Sequence, residues 1–220
     1  MIFQLLLASP LVALLWLAAI ITSLTVHEFG HAAMATWRGD GTAAWSGRLT
    51  LNPMAHLDPW GFLLMLLVGF GWAKPVPFDP RRLRHPLRDG ALIGLAGPLS
   101  NGLLLLLIAV FVRLVGVLSP EFDSSALGIF LIFLAFSNAG LMIFNLLPVP
   151  PLDGSHVLNS FLTSPGGMRV RVMWESLGPQ LLLALVAISL FTPFSPFGFI
   201  GSLAERVVAL VFGVDVALFS

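Results

Sequence analysis

Residues 5 to 26 form a run of apolar and small side chains that contains no charged residue. A helix of about 20 such residues is long enough to cross the hydrocarbon core of a bilayer. The run leads directly into the sequence HEFGH at residues 27 to 31. Ionisable side chains are costly to place in or beside lipid, and they are functional candidates where they occur there. The junction therefore predicts a transmembrane helix that carries a polar site.

Composition supports a membrane protein and excludes several kinds of site. Hydrophobic residues make up 57% of the 220 residues and charged residues only 10%, whereas a soluble domain carries about 25% charged residues. The 11 basic side chains balance the 11 acidic ones, and zero net charge argues against binding of nucleic acid. The chain contains no cysteine, which excludes disulfides, iron–sulfur clusters and thiolate metal sites.

We therefore predict an all-α polytopic membrane protein with about five or six transmembrane or re-entrant helices. It is expected to form a single domain over residues 1–220, with a core at about 10–163 and C-terminal helices at about 174–214. After the first helix, the runs that predict helices are residues 91–118, 126–147, 155–163, 177–192 and 197–214.

Two segments between these helices are less regular. Residues 42–50 are small and β-compatible, and they predict a short β or loop element after the first helix. Residues 62–72 are apolar but too short for a full crossing. They either re-enter the membrane or span it by recruiting flanking residues.

The distribution of charge predicts the orientation. The polar loop at residues 73–90 carries Lys74 and four arginines, so the positive-inside rule assigns it to the cytoplasm. The turn at residues 119–125 has two acidic and no basic residues, which fits the outer side. The HEFGH segment and the stretch that follows residue 147 are then both expected towards the cytoplasmic side.

The HEFGH spacing is typical of a metal site. His27 and His31 are four residues apart, so a helix places both imidazoles on one face. Glu28 lies about 100° around the helix, where it reaches a water on a shared metal without being a ligand. This is the HExxH arrangement of zinc hydrolases, with a glutamate as general base. A chance match is the alternative, but the chain has only five histidines.

A catalytic zinc takes three protein ligands and keeps one open position. The candidates for the third ligand are histidines and aspartates beyond the first helix: His56, His85, His156, Asp58, Asp79 and Asp153. His85 and Asp79 belong to the basic loop and are expected to be solvated. Asp153 opens a helix on the same side as HEFGH, so it is either a ligand or a helix N-cap, and topology alone favours neither.

The stretch NLLPVPPLDG at residues 145–154, together with HEFGH, resembles the site-2 protease family of intramembrane zinc metalloproteases. The family pattern Asn-x-x-Pro-x-x-Pro-x-Asp-Gly is matched at every fixed position. GRLTLNPMAHLDPWG at 47–61, GWAKPVPFDP at 71–80 and AGPLSN at 96–101 resemble its compact prokaryotic branch, which lacks PDZ and CBS domains. The likeness covers roughly residues 20–160.

The resemblance implies that His27, His31 and Asp153 bind one Zn²⁺ per chain and that Glu28 is the general base. It implies an intramembrane endopeptidase of the prokaryotic inner membrane, whose partners are the bilayer and transmembrane protein substrates. Asn145 matches the motif asparagine and is expected to hydrogen-bond the substrate backbone or the oxyanion. The alternative for Asn145 is a cap or interhelical hydrogen bond at a broken helix end.

For five other polar residues the sequence gives less specific predictions. His56 is a second-shell donor, a transient ligand or a substrate contact, or else it stabilises its own loop by a hydrogen bond. Asn52 and Asp58 are expected to be turn residues, and Asn101 to serve helix packing. His156, one turn after Asp153, is a minor candidate for the metal shell.

Two other functions compete with the protease. A catalytically inactive membrane scaffold or metal-binding protein would keep the same fold, but it would have no need of Glu28. A metal transporter would spread ionisable groups over several spans, whereas here they collect at one depth. The oligomeric state, the substrate and the trigger have no signal in the sequence.

Overall fold

The computed structural model describes residues 9–68, 71–116, 122 and 125–213. Within these residues the chain forms helices and loops and no strand, which confirms the all-α prediction. The helices are α1 Pro10–Trp37, α2 Thr42–Trp45, α3 Pro59–Val68, α4 Pro86–Gly116, α5 Ala126–Asn145, α6 Gly154–Phe161, α7 Pro165–Phe191 and α8 Gly198–Phe212.

Four of these helices are long and apolar enough to cross a membrane: α1, α4, α5 and α7. This length and composition, with the exposed leucines and phenylalanines along them, identify an integral membrane protein. The prediction of spans at 91–118 and 126–147 is confirmed. α4 and α7 begin earlier than predicted, at Pro86 and Pro165, because prolines suit the first turn of a helix.

The core of the bundle lies between α1, α4, α5 and α8. Leu105, Ile108 and Val112 of α4 pack with apolar side chains of α5 and α8 and with Ala19 of α1. The buried residues of α1 are mostly small, and small residues let membrane helices approach closely. Three closely packed helices can therefore bring polar side chains into contact deep in the bundle.

The end of α1 is tied to the start of α4. Arg38 follows the last turn of α1, and its Nη2 lies 2.6 Å from Oδ1 of the fully buried Asp89 on α4. Gly39 then adopts φ 105°, a left-handed conformation that suits glycine and ends the helix. The HEFGH segment is thereby held about two turns from this junction.

The prediction of a β element at residues 42–50 was wrong for Thr42–Trp45, which form one helical turn, while the loop alternative holds beyond it. Asp40 explains the turn, because its Oδ1 accepts hydrogen bonds from the N–H (3.0 Å) and hydroxyl (2.5 Å) of Thr42. Its Oδ2 accepts the N–H of Asp79 at 2.6 Å. Burial would raise the pKa of Asp40, but these hydrogen bonds lower it below its usual value.

Of the apolar segment at 62–72 the structure describes residues 62–68 and 71–72, and its re-entrant path stays a prediction. α3 has ten residues, about 15 Å of helix against a hydrocarbon core of about 30 Å. After it the chain returns, because Leu57 forms a β-bridge with Ala73 and the Lys74 N–H donates to His56 O at 2.8 Å. Gly61 permits this approach, since a Cβ there would lie 2.9 Å from Trp72 N.

Candidate metal centre

Two elements place three ligand atoms together. His27 and His31 project from the second half of α1, and Asp153 lies at the start of α6. The two Nε2 atoms are 3.1 Å apart, and Asp153 Oδ2 lies 3.1 Å from His27 Nε2 and 3.4 Å from His31 Nε2. Both histidines are buried and Asp153 is largely so. The three residues named from the sequence are thus brought to one point.

The donor set fits a zinc ion. Ligand atoms about 2.0–2.1 Å from a tetrahedral zinc lie about 3.3 Å from one another, close to the observed separations. His31 Nδ1 lies 2.7 Å from the Ile93 carbonyl, which can only accept, so Nδ1 carries the proton and Nε2 presents a lone pair. Asp153 Oδ2 is buried without a hydrogen-bond partner among the described residues. A cation between these lone pairs satisfies all of them.

Asp153 occupies the N-cap position of α6, but its side chain makes no capping hydrogen bond. Its carboxylate is turned to the two histidines instead. Burial would raise the pKa of Asp153, but the rings of His27 and His31 lower that pKa well below its usual range. The geometry therefore favours the ligand interpretation of Asp153 over the N-cap alternative.

Glycines on α4 make room for the cluster. A Cβ on Gly97 would collide with His31 Nε2 and lie 2.7 Å from His27 Cε1. A Cβ on Gly94 would lie 2.9 Å from the Asp153 carbonyl oxygen. Backbone rather than side chain thus forms the wall of the site on the α4 side.

Glu28 completes the group. It is 7% exposed and lies close enough to His27, His31 and Asp153 for their charges to interact. No described residue donates a hydrogen bond to its carboxylate. A buried carboxylate with free acceptor positions beside a metal site can take a proton from water.

Comparison of the sequence with known proteins identifies the family of this chain. Residues 114–188, which include Asp153 but not HEFGH, match the model of Peptidase family M50. YwhC of Bacillus subtilis (strain 168) is 40% identical over 170 residues, which are 76% of this chain and 77% of that protein. This chain belongs to peptidase family M50, the site-2 protease family.

Two further relatives agree. Rip2 of Mycolicibacterium smegmatis (strain ATCC 700084 / mc(2)155) is 33% identical over 69% of this chain and 58% of its own length. MJ0611 of Methanocaldococcus jannaschii is 32% identical over 73% of this chain and 78% of its own length. All three relatives carry the name "Putative zinc metalloprotease", and these names imply zinc as their metal. No solved structure matches the chain.

In this M50 peptidase, Arg48 holds two loops beside the metal centre. Its guanidinium donates to the carbonyls of Ala55, Lys74 and Pro75, the last at 2.7 Å. Arg48 is 4% exposed, and this burial lowers its pKa, although a guanidinium stays charged at neutral pH. Sequence analysis did not single out Arg48. The one signal was an arginine within the otherwise uncharged stretch 41–57.

His56 lies in one of the loops that Arg48 holds. It is fully buried, and its Nε2 lies 2.8 Å from the Thr50 carbonyl. This is the loop-stabilising hydrogen bond that sequence analysis gave as the alternative, and His56 is not among the three clustered ligands. Asn52 and Asp58 are turn residues as predicted, since each accepts backbone N–H groups that follow it.

The other candidates are not among the three clustered ligands. The Asn145 amide donates to Leu141 O of its own helix at 3.0 Å, so its catalytic role stays a prediction. His85 is exposed, as predicted, and Asp79, which is half-buried, accepts the Arg81 N–H. His156 packs edge-on against Phe78, and burial lowers its pKa.

Proposed function

We propose that this M50 peptidase is an intramembrane zinc endopeptidase, which hydrolyses peptide bonds in or near transmembrane segments of other membrane proteins. The observation that carries the proposal is the cluster of His27, His31 and Asp153 beside the buried Glu28. The two histidines and Glu28 lie on α1, which is long enough to span a membrane. The helices expose many large apolar side chains, which suits contact with lipid. A substrate that is itself embedded in the membrane can therefore reach this site.

One Zn²⁺ per chain would be held by His27 Nε2, His31 Nε2 and Asp153 Oδ2. When bound, zinc supplies the Lewis acidity that makes water a nucleophile at neutral pH. Glu28 then accepts the proton of the attacking water and returns it to the leaving amine. Because Glu28 follows the ligand His27 on the same helix, its backbone position relative to the metal site is fixed by that helix.

Asn145 has the second chemical role. It is the last residue of α5, and its amide nitrogen is directed to a carbonyl of its own helix. A rotation of the side chain would release this N–H₂ to donate to the substrate carbonyl or to the oxyanion that forms from it. The substrate itself must unwind locally, because a helix in lipid satisfies its own amides.

The active site is proposed to lie towards the cytoplasmic side of a prokaryotic inner membrane. The basic loop immediately precedes α4, and the Arg38–Asp89 ion pair ties the end of α1 to the same end of α4. By the positive-inside rule this end is cytoplasmic. His31 is then within about two turns of the aqueous phase, which gives water a short route.

The test uses purified protein in liposomes with single-span substrates whose fragments are mapped by mass spectrometry. Wild type is expected to cleave within or beside the apolar segment, and Glu28→Gln is expected to lose cleavage while it keeps zinc. Cleavage confined to soluble tails would overturn the intramembrane assignment. Equal cleavage by Glu28→Gln would remove Glu28 as general base, and zinc binding with no cleavage by either protein would favour a scaffold.

A further inference from the structure

Behind His27, on the side away from Asp153, lies a row of polar side chains from three helices. Ser23 of α1, Asn101 of α4 and Asn138 of α5 are each fully buried. His27 Nδ1 lies 2.6 Å from Asn101 Oδ1. The row therefore begins at a residue of the metal centre and runs into the middle of the bundle.

The contacts of Asn101 decide which way its amide points. Its Nδ2 donates to the Ser23 carbonyl at 3.0 Å and to Asn138 Oδ1 at 2.7 Å. A backbone carbonyl can only accept, so a flipped amide would set two oxygens against each other. Asn101 Oδ1 must therefore face His27, and His27 Nδ1 must carry the proton that joins them.

Asn138 and Ser23 hold Asn101 in turn. Asn138 Nδ2 donates to Leu134 O at 2.7 Å and to Ser23 Oγ at 2.8 Å, which leaves its Oδ1 for Asn101. Ser23 Oγ donates to Ala19 O at 2.9 Å. Each donor in the row thus meets an acceptor, and a fully satisfied buried network permits one arrangement of its side chains.

We propose that Asn101 is a positioning residue for the metal centre, supported by Asn138 and Ser23. It holds the His27 imidazole as the Nδ1–H tautomer, so that Nε2 presents its lone pair to the site. The inference rests on the proposed metal site and adds to the helix-packing role expected for Asn101. Metal-binding histidines generally donate their other N–H to a partner that fixes the ring, and His31 obtains this from the Ile93 carbonyl.

The use of an amide suits the location. A carboxylate would accept the same N–H more strongly, but it would add a third acidic group to a buried region that already holds Glu28 and Asp153. Uncompensated charge is costly within a membrane. Neutral amides linked across three helices orient His27 without that cost.

The test compares zinc affinity, measured by competition with a chelator, and the absorption spectrum of the Co²⁺-substituted protein. Asn101→Leu removes the acceptor, and zinc affinity is expected to fall by about 10–100-fold with an altered Co²⁺ spectrum. Asn101→Asp keeps an acceptor for His27 but loses the two hydrogen bonds that Nδ2 donates, so its zinc affinity is expected to lie between those of wild type and Asn101→Leu. Ser100→Ala is the matched control, because Ser100 bonds Val26 O across the same helix pair and does not contact His27.

Zinc affinity unchanged in Asn101→Leu would overturn the proposal and leave packing as the role. If Asn101→Leu does not fold, the zinc affinity of Asn138→Ala tests the proposal instead. Asn138→Ala is expected to lose less zinc affinity than Asn101→Leu, and an unchanged zinc affinity would contradict the proposal. A measurement on zinc-free protein separates this inference from the proposed function. With ¹⁵N-labelled histidine, wild type should show a protonated Nδ1 on His27, and Asn138→Ala should weaken that signal. A His27 ring that is protonated on Nε2 and not on Nδ1 in wild type would overturn the proposal even if zinc binds.

Discussion

At the scale of single residues, the metal centre depends on the absence of a side chain at Gly97 of α4 as much as on the ligands. Gly97 stands where any side chain would enter the space of both histidine rings. The His27–His31 spacing made one half of the site predictable, because helix geometry relates residues four apart. The contacts of Asn101 and Arg48 join residues up to 78 positions apart, so they depend on packing that no local pattern encodes.

Gly97→Ala is expected to weaken zinc binding about tenfold or more, because the added methyl group displaces His31 and overpacking costs about 1–3 kcal/mol. Gly140→Ala is the control, since a Cβ at Gly140 would meet nothing within 4 Å. Zinc content and chelator competition on the two purified variants measure the difference. Equal affinity in both variants would show that Gly97 does not limit the site.

At the scale of elements, the loops beside the site are held by side chains rather than by regular structure. Asp40 starts the turn of α2, and Arg48 joins the loop before α3 to the chain that returns after it. Sequence analysis offered the re-entrant path of α3 as one of two alternatives, from length alone. Sequence analysis missed α2 because its small residues are compatible with both a strand and a helical turn. The hydrogen bonds that the buried Asp40 accepts from Thr42 stabilise the helical turn.

Arg48→Leu is expected to make the two loops more mobile, because three backbone carbonyls lose their hydrogen-bond donor and the leucine side chain cannot replace it. Hydrogen–deuterium exchange should rise in residues 48–57 and 71–78, and zinc content should stay unchanged, since no ligand lies in either loop. Arg81→Leu is the control, because Arg81 is exposed and, within the described part of the chain, hydrogen-bonds through its backbone N–H and not through its guanidinium. Unchanged exchange in Arg48→Leu would mean that other contacts hold the loops.

At the scale of the whole molecule, hydropathy made the positions of α1, α4 and α5 predictable, because a bilayer requires apolar runs of fixed length, whereas α7 was expected to be shorter than it is. The early starts of α4 and α7 were hidden by charged residues near their N-terminal ends. In α4, Asp89 is paired with Arg38, and in α7, Arg171 pairs with Glu175 one turn later at 2.8 Å. When its charged side chains are paired, a segment that composition assigns to a loop can form part of a helix.

The absence of cysteine from the sequence makes the orientation directly testable. In whole cells, a cysteine at Arg84→Cys, in the basic loop, is expected to react with a membrane-impermeant maleimide only after permeabilisation. Leu127→Cys, at the start of α5, is expected to react without it. The reverse pattern would place the metal centre towards the outer side, and it would contradict the orientation inferred from the arginines.

The central claim is that His27, His31 and Asp153 form a zinc site, and the zinc content of purified protein tests it most directly. Elemental analysis should find about one zinc per chain in wild type and in Glu28→Gln, because Glu28 is not a ligand. Asp153→Ala should lose most of that zinc under the same purification, with its helical content retained. Wild type without zinc, or Asp153→Ala with a full complement of zinc, would contradict the account.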